Sequence, residues 1–330
     1  MKPNIGILES IHPEGIKLLK TIGKVYLDVN LDKSKLYKKI QNYDVVIIKS
    51  NIQINEKFIN CAKRLKIVAR AGTGVDNINL EYLKKKKIKF FSTPKSASIS
   101  VSELTISLIL SLVKKLPDIN HAVKKNDYRR HLFLSNNLSN LSVGLVGIGN
   151  AGIEVAKRLQ AFGCKIYGFD NYSKYKTRFK KYNGIFVKSL KTILSLSDII
   201  SFHVRLNKST EHLLNLKNIK FLKKNCIIIN TSRAKIIEEK SIIVGLKKKI
   251  ISKVGLDVLY PEMPYEKNPD KNNYFHKFLN NKNIYITPHI GSMTDMTQKK
   301  IALELISKIK RNLVKKNISK IKNKRITTYL

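Results

Sequence analysis

The sequence predicts an α/β fold of two doubly wound domains, each a parallel sheet with helices on both faces. Three observations lead to this prediction. The chain has 330 residues, which is enough for two domains. Short apolar runs rich in β-branched residues alternate with helical stretches over most of its length. Near the middle, a glycine-rich turn joins one apolar run to a helix.

Residues 1–98 predict the first of these sheets. Their apolar runs and helical stretches alternate strictly, which favours parallel strands joined by crossover helices. Strands are predicted at Asn4–Leu8, Lys24–Val29, Asp44–Ile48, Lys66–Ala69 and Ile88–Phe91. Helices are predicted at Pro13–Thr21, Asp32–Gln41, Asn55–Cys61 and Leu80–Lys86.

A long apolar helix is predicted next. Ser100 and Glu103 have the spacing of a capping box, so the helix is expected to begin at Ser100. Its apolar residues lie on almost every face, which is typical of a buried helix. Pro117 is expected to end it, and residues 126–140 are polar and loop-like.

The glycine-rich turn lies in a strand–turn–helix–strand unit that ends in an acid. Its parts in order are Val143–Val146, the glycines Gly147, Gly149 and Gly152, a helix that closes at Gly163, and Lys165–Phe169 followed by Asp170. A lone G-x-G-x-x-G is weak evidence, but the complete unit predicts a dinucleotide site rather than a merely structural turn.

Each glycine of this unit has a predicted task. Gly147 permits the tight turn, Gly149 leaves room for a pyrophosphate, and Gly152 lets the helix pack close to the strand. The helix N-terminus offers N–H groups to the phosphates. Asp170 is placed to accept hydrogen bonds from the adenosine ribose and to repel a 2′-phosphate, so NAD is favoured over NADP.

The same alternation resumes after Asp170. Strands are predicted at Asp198–Phe202, Cys226–Asn230, Lys253–Asp257 and Asn283–Ile286, and helices at Ser189–Leu196, Asn215–Leu222, Glu238–Lys248 and 294–314. Residues 260–278 contain three prolines and predict a long loop. Long loops in compact domains are often functional.

The composition favours a protein of a reducing compartment, such as the cytoplasm, over a specific nucleic-acid or membrane protein. The net charge is +41, but only 10 of the 64 basic residues are Arg, a pattern that resembles the coding bias of an A+T-rich genome. No aromatic-interleaved basic motif supports a specific nucleic-acid partner, although a polyanion-binding face is the alternative. No signal-peptide pattern or membrane span is visible. The three scattered cysteines predict neither disulfides nor structural zinc.

Several sequence blocks resemble the D-2-hydroxyacid dehydrogenase family. The resemblance covers about residues 44–302 and is more specific than the glycine pattern alone. The blocks are Val68–Ile78, Thr93–Pro94, Ser100–Thr105, Asn230–Arg233, Gly255–Val258 with Glu262, and Thr287–Gly291. The residues of these blocks are most similar to those of the phosphoglycerate dehydrogenases of that family. The chain ends about forty residues after His289, which resembles their short form without a regulatory domain.

The resemblance implies a Rossmann cofactor domain, residues 99–290, inserted in a flavodoxin-like substrate domain. The substrate domain is expected to comprise residues 1–98 and a returning helix and tail, residues 291–330. Family members are commonly homodimers or homotetramers, and the same is expected here. The partner is otherwise a small 2-hydroxy acid, with NAD as the cofactor.

Oxidising a 2-hydroxy acid requires a base for the hydroxyl proton and a cation for the carboxylate. His289 is the candidate base, because imidazole exchanges a proton near neutral pH. Glu262 is expected to bind its other ring nitrogen and to fix the tautomer. Arg233 can bind the carboxylate bidentately. Taken singly, each residue is as readily a loop or surface residue, but together at family spacing they predict a catalytic set.

Further binding residues are implied by the resemblance. Substrate contacts are expected from Lys49 and from the loop of Gly72, Thr73 and Gly74. Cofactor contacts are expected from Gly147, Gly149, Asn150, Ala151, Gly152, Asp170, His203, Thr231 and Asp257. For Asp257, help through His289 or the cofactor and mere structural support are both open. No cluster has metal-ligand spacing, so no metal is predicted.

Four departures from the family pattern bear on the substrate and the cofactor. Lys49 stands where related phosphoglycerate enzymes often have Arg, so it attracts a phosphate without binding it bidentately. Arg205 and Ala234 replace a usual Pro and Gly, and Asn150-Ala151 replaces the commoner Arg-Ile. None of these changes removes a catalytic group.

The predicted function is NAD-dependent oxidation of D-3-phosphoglycerate to 3-phosphohydroxypyruvate, the entry to serine biosynthesis. Three alternatives stay open. One is a glyoxylate or hydroxypyruvate reductase, or another D-2-hydroxyacid dehydrogenase. Another is a non-catalytic NAD-sensing corepressor or scaffold, against which the intact Arg233, Glu262 and His289 argue. An enzyme that also binds nucleic acid is a third possibility.

Overall fold

A computed structural model describes residues 2–171, 175–262 and 273–326, with side chains as far as residue 313. The chain divides into two compact units, one formed by residues 1–97 and 293–330 and the other by residues 98–292. Each unit contains one parallel sheet, and the predicted fold class is confirmed.

The first unit has a five-stranded sheet in the order β2-β1-β3-β4-β5, which is the flavodoxin-like order. Its strands are β1 Asn4–Ile7, β2 Lys24–Leu27, β3 Val45–Ile48, β4 Ile67–Arg70 and β5 Lys89–Phe91. Its helices are α1 Pro13–Ile22, α2 Lys33–Lys39, α3 Glu56–Cys61, α4 Leu80–Lys85 and α11 Asp295–Ile326. Every residue of β3 and β4 is buried, as expected for central parallel strands.

Helix α11 completes the first unit from the far end of the chain. It packs against α1, β4 and β5. Ala302, Leu305 and Ile309 are almost fully buried on its inner face. At its start the Asp295 carboxylate lies 3.2 Å from Nε2 of His12, which also caps α1. The returning helix is therefore an integral part of the first hydrophobic core.

The second unit has a seven-stranded sheet in the order β12-β11-β10-β9-β6-β7-β8. Its strands are β6 Ser142–Val146, β7 Lys165–Phe169, β8 Gly184–Phe186, β9 Ile199–Phe202, β10 Cys226–Asn230, β11 Ile251–Leu256 and β12 Ile284–Ile286. Its helices are α5 Ser98–Val113, α6 Leu116–Val123, α7 Asn150–Ala161, α8 Lys176–Lys180, α9 Leu190–Leu196 and α10 Glu239–Lys247. The order reverses between β6 and β9, where doubly wound sheets bind their ligands.

Several local predictions in the second unit are wrong. Helix α5 begins at Ser98, so Ser100 lies inside it and is not an N-cap. Pro117 does not end that helix but lies in the first turn of α6. The predicted helix at Asn215–Leu222 is reduced to a 3₁₀ turn at Ile219–Phe221. The short elements α8 and β8 were not predicted.

The sequence predicts no membrane-spanning segment, and the structure bears on this prediction only for the helices that it describes. Within the described ranges, no helix combines the length and the apolar character that a bilayer crossing requires.

Candidate functional site

The predicted cofactor and catalytic residues of the second unit follow the carboxyl ends of its parallel strands. Gly147 follows β6, Asp170 follows β7 and His203 follows β9. Beyond the point where the strand order reverses, Thr231 and Arg233 follow β10, Asp257 follows β11, and His289 follows β12. Because all the strands are parallel, these positions share one edge of the sheet.

The glycine turn is sterically fixed at two positions. Gly147 has a φ of +96°, and its N–H donates to the carbonyl of Phe169 at 2.7 Å. A Cβ on Gly147 would lie 2.8 Å from the carbonyl carbon of His203. A Cβ on Gly152 would overlap the carbonyl oxygen of Gly147. Only glycine therefore lets α7 start this close to β6 and β9.

Gly149 differs from these two glycines, because a Cβ there would meet no protein atom within 4 Å. It is the N-cap of α7, which has no side-chain cap, so the N–H groups of Asn150, Ala151 and Gly152 begin the helix beside this space. Such a helix start is a suitable place for phosphate oxygens. The space that Gly149 leaves open fits a pyrophosphate.

The Asp170 carboxylate is tied to the same turn. Its Oδ2 accepts a hydrogen bond from the N–H of Ile148 at 2.9 Å. A cleft of ≈ 430 Å³ opens beside it and is lined by Phe169, Asp170, Asn171, Lys176, Phe186 and Lys188. Two phenylalanine rings, the Asp170 carboxylate, one amide and two lysines thus surround a space in which an adenosine could stack and hydrogen-bond. The residues present at the edge therefore fit an NAD molecule.

His203 follows β9 and Thr231 follows the neighbouring strand β10, and the polar side-chain atoms of both residues have hydrogen-bond partners. The Oγ of Ser201 lies 2.9 Å from Nε2 of His203, and burial lowers the pKa of His203 to about 4. The imidazole is therefore neutral at neutral pH. The Thr231 hydroxyl lies 3.0 Å from the hydroxyl of Thr105 on α5.

The structure brings His289 and Glu262 together. Nδ1 of His289 lies 2.5 Å from Oε1 of Glu262, and both side chains are partly exposed. The backbone of His289 has a φ of +55°, an unusual value for a residue with a side chain. A histidine held through Nδ1 by a carboxylate has a defined ring orientation, which directs Nε2 to a different partner.

Asp257 is fully buried directly after β11 and holds the His289 segment in place. Its Oδ1 accepts hydrogen bonds from the Thr287 hydroxyl at 2.6 Å and from the N–H of Ile290 at 2.8 Å. Its Oδ2 accepts the N–H of Gly291 at 2.8 Å. Burial raises the pKa of Asp257, although these hydrogen bonds oppose the rise. Among the two open interpretations, its contacts favour an effect through His289.

Arg233 follows a turn that is built by Asn230. The Asn230 carboxamide is 1 % exposed; its oxygen accepts from the N–H and hydroxyl of Ser232, and its nitrogen donates to the carbonyl of Arg233. The Arg233 guanidinium donates to the carbonyl of Ser232 at 2.8 Å. Ala234 enters a short 3₁₀ turn after it without any positive φ, so glycine is not required there.

The predicted substrate residues lie in the first unit, and their loops are also held by buried polar groups. The carboxylate of Glu9 accepts hydrogen bonds from the N–H groups of Lys49, Asn51 and Ile52 at 2.7, 3.1 and 3.3 Å. Asn77, which is buried, donates to the carbonyls of Lys49 and Ile52. Glu9 therefore joins the loops after β1 and β3, between which the strand order reverses, and Asn77 joins the loops after β3 and β4.

The Gly72–Gly74 loop begins at a constrained position. Gly72 has a φ of +148°, and a Cβ there would overlap the guanidinium of Arg70. Its carbonyl accepts the N–H of Thr93 at 3.0 Å. Thr73 and Gly74 follow at the surface of the loop, partly exposed.

Sequence reasoning missed the buried groups that hold these loops. Glu9 and Asn77 were not singled out, and Asp257 was assigned to the cofactor without its three loop contacts. An isolated acid after an apolar strand is the only signal that the sequence offers for Glu9 or Asp257. The partners of Glu9, Asn77 and Asp257 are 25 to 43 residues away, so the pairing cannot be inferred from local pattern.

No metal centre is indicated in the part of the chain that the structure describes. There, no group of three or more His, Cys, Asp or Glu side chains is arranged to hold a metal ion. The expectation that the protein needs no metal stays a prediction.

Comparison with known proteins gives consistent results. Residues 106–291 match the NAD binding domain of D-isomer specific 2-hydroxyacid dehydrogenases. The chain is 34% identical over 284 residues to a hydroxypyruvate reductase of Thermotoga maritima, covering 86% of this chain and 89% of that protein. It is 32% identical over 320 residues to a D-3-phosphoglycerate dehydrogenase of Methanocaldococcus jannaschii, covering 96% of this chain but only 59% of that protein.

A solved structure is similar over the whole chain. The D-lactate dehydrogenase of Aquifex aeolicus, crystallised with NAD and lactic acid, superimposes with a TM-score of 0.82 at 29% identity. The match covers 97% of this chain and 98% of that one.

Proposed function

Because the chain belongs to the NAD-dependent, D-isomer specific 2-hydroxyacid dehydrogenases, we propose that it oxidises D-3-phosphoglycerate to 3-phosphohydroxypyruvate. This reaction is the entry to serine biosynthesis. The observation that carries the proposed chemistry is the contact between His289 and Glu262 at the carboxyl edge of the sheet. An oriented imidazole at this edge is the group that a hydroxy-acid dehydrogenase needs as its base.

In this mechanism Nε2 of His289 takes the proton of the C2 hydroxyl while the C2–H bond breaks. Glu262 holds Nδ1 and stabilises the imidazolium that forms. Arg233 binds the substrate carboxylate and polarises the C2 oxygen. When bound, NAD accepts the hydride from C2. The glycine turn and the start of α7 hold the pyrophosphate, Asp170 binds the ribose, and neutral His203 lines the nicotinamide end.

The substrate's other contacts are assigned to the first unit. Backbone N–H groups of Gly72, Thr73 and Gly74 are proposed to bind the carboxylate, and Lys49 to attract the phosphate. The relationship to the M. jannaschii phosphoglycerate dehydrogenase supports this substrate, but the chain spans little more than half of that protein's length. We therefore separate the choice of substrate from the chemistry in the experiment below.

A second candidate is reduction of hydroxypyruvate or glyoxylate. It is favoured by the lysine at position 49, which binds a phosphate less specifically than Arg does. The match to the T. maritima hydroxypyruvate reductase, which this chain covers almost in full, also supports it.

The test is NAD reduction followed by absorbance, with D-3-phosphoglycerate, D-glycerate and D-lactate compared at equal concentration and the keto acid trapped. Activity that requires phosphoglycerate and is lost in His289→Ala supports the proposal. Lys49→Ala should then raise KM for phosphoglycerate and leave KM for D-glycerate nearly unchanged. Turnover only with NADH and hydroxypyruvate or glyoxylate would replace the substrate and keep the mechanism.

We also propose that two copies of the chain associate through the second unit. The support is a concentration of exposed apolar side chains within 19 residues, on α6 and the segment after it: Leu116, Val123, Tyr128, Leu132 and Leu134. Large exposed apolar surfaces mark interaction sites. A cytoplasmic location is proposed from the chemistry of Cys61, Cys164 and Cys226, which are all free thiols.

A further inference from the structure

Glu262 lies six residues after the end of β11, so its position depends on how the described chain around it is held. The residue before it, Pro261, accepts a hydrogen bond through its carbonyl from the hydroxyl of Tyr274 at 2.7 Å. This bond joins two points of the chain that are 13 residues apart. The Tyr274 side chain is partly buried and packs on the hydrophobic core of the second unit.

Two residues after Tyr274 the chain is fixed to α10. His276 is 5 % exposed, and its Nε2 lies 3.0 Å from Oε1 of Glu239 in the first turn of that helix. Its Nδ1 accepts the N–H of Phe278, and Lys277 pairs with the other oxygen of Glu239 at 2.5 Å. Tyr274 thus belongs to a segment that these contacts hold in place, and its hydroxyl connects Pro261 to that segment by a hydrogen bond.

The chain on the other side of Pro261 has a weaker contact. The Lys235 ammonium lies 4.3 Å from the ring centroid of Tyr260, which is exposed. An exposed cation–π contact of this kind contributes little. The Tyr274 hydroxyl is therefore the stronger of these two attachments beside Glu262.

We propose that Tyr274 is a positioning residue, which holds Glu262 on Nδ1 of His289 by binding the carbonyl of Pro261. The proposal rests on the function proposed above, in which His289 is the base. Tyr274 itself contacts neither substrate nor cofactor in this account. Removing its hydroxyl lets the Pro261–Glu262 peptide move, so that the carboxylate spends less time on the imidazole.

The kinetic test is a double-mutant cycle with Tyr274→Phe and Glu262→Ala. Loss of one positioning hydrogen bond should lower kcat by about two- to tenfold. KM for NAD should stay within about twofold, because the glycine turn is not involved. In the Glu262→Ala background the same substitution should change kcat by less than about twofold, since there is no carboxylate left to position. An equal loss in both backgrounds would overturn the proposal.

Tyr82→Phe is the matched control. The Tyr82 hydroxyl also makes one hydrogen bond, to Asn60 at 2.8 Å, but in the first unit, which contains none of the three proposed catalytic residues. Its removal should leave kcat unchanged. Comparison of the two variants separates a general cost of losing a tyrosine hydroxyl from an effect on Glu262.

A second readout does not depend on turnover. The proton in a short histidine–carboxylate hydrogen bond gives a far-downfield NMR signal, which is assigned here by its absence in Glu262→Ala. The signal should broaden or vanish in Tyr274→Phe and persist in Tyr82→Phe. An unchanged signal in Tyr274→Phe refutes the positioning role. If the wild type turns over none of the acids, the proposed function fails, while this signal still decides the role of Tyr274.

Discussion

Gly149→Ala should abolish tight NADH binding while leaving the protein folded. A Cβ at Gly149 meets no protein atom within 4 Å, and the backbone there has φ −70° and ψ −155°, which L residues adopt without strain. The cost to stability is only that of an N-cap glycine replaced by alanine, about 0.5–1 kcal/mol. The new methyl group instead occupies the space assigned to the pyrophosphate.

The size of the binding defect follows from the hydrogen bonds that the phosphates lose. A hydrogen bond to a charged group contributes about 1.5–3 kcal/mol. Displacing the pyrophosphate from one or two N–H groups at the start of α7 should therefore weaken binding by about 10- to 10,000-fold. Titration of NADH fluorescence measures the dissociation constant, and urea unfolding measures the stability.

Gly163→Ala provides the matched control. Gly163 has a φ of +68° after the C-terminus of α7, and its Cβ would lie 3.9 Å from the nearest side-chain atom, that of Ser139. The substitution should cost about 1 kcal/mol of stability through backbone strain alone and leave NADH binding unchanged. If folded Gly149→Ala binds NADH within twofold of the wild type, the turn is not the pyrophosphate site.

Three further predictions concern the second unit. Asp257→Asn replaces a buried acceptor with an NH₂ group that faces another donor, so the free energy of unfolding in urea should fall by about 1–3 kcal/mol. In the same variant kcat should fall by a larger factor than the affinity for NADH. A larger loss of NADH affinity would instead assign Asp257 to the cofactor. Burial raises the pKa of Asp198, but hydrogen bonds from Ser142 and Lys223 lower it below its usual value overall. Its stabilising effect is therefore fully present above the usual carboxyl pKa and is lost as the pH falls through the lowered one. Asp198→Asn should destabilise at pH 7 by about 1 kcal/mol and by less in acid, whereas a constant difference in urea midpoints would contradict this assignment. Leu134→Glu, at a side chain that is 78% exposed, should convert a dimer to a monomer in light scattering; an unchanged mass would exclude this surface.

Most of the helices and strands were predictable because hydrophobic periodicity and glycine spacing indicate them locally. The strands of the first unit and the strand–turn–helix around Gly147 each contain a local pattern that only one structure satisfies. Strand β8, at Gly184–Phe186, has three residues and lies at the sheet edge, so it contains too few positions to show alternation.

The wrong helix at Asn215–Leu222 shows how side chains can override an apolar spacing. Asn218 accepts the N–H of Asn215 through Oδ1 and donates to the carbonyl of Leu213. Asn215 in turn accepts the N–H of Lys217. These asparagines stabilise turns at residues 213–218, and the following backbone bonds, from Phe221 to Asn218 and from Leu222 to Ile219, have the shorter spacing of a 3₁₀ helix. The premature start of α5 has a different cause, since the chain already winds in turns over residues 94–97 before Ser100.

For the site, the sequence predicted the groups with a proposed chemical task but not the groups that hold them. His289, Glu262 and Arg233 are recognisable by residue type and order. The contacts of Glu9 with the Lys49 loop, of Asp257 with the His289 loop, and of Tyr274 with Pro261 depend on tertiary packing. No local pattern encodes which distant N–H or carbonyl such a side chain will meet.

The position of α11 has a consequence for how the protein is made. The first unit contains both the beginning of the chain and the helix that starts at Asp295, and Leu305 and Ile309 belong to its buried interior. While the ribosome is still adding residues 98–292, the first unit lacks one side of its core. Domains tend to fold as units during synthesis. The second unit can therefore reach its native structure before the first, although its residues emerge later than the strands of the first sheet.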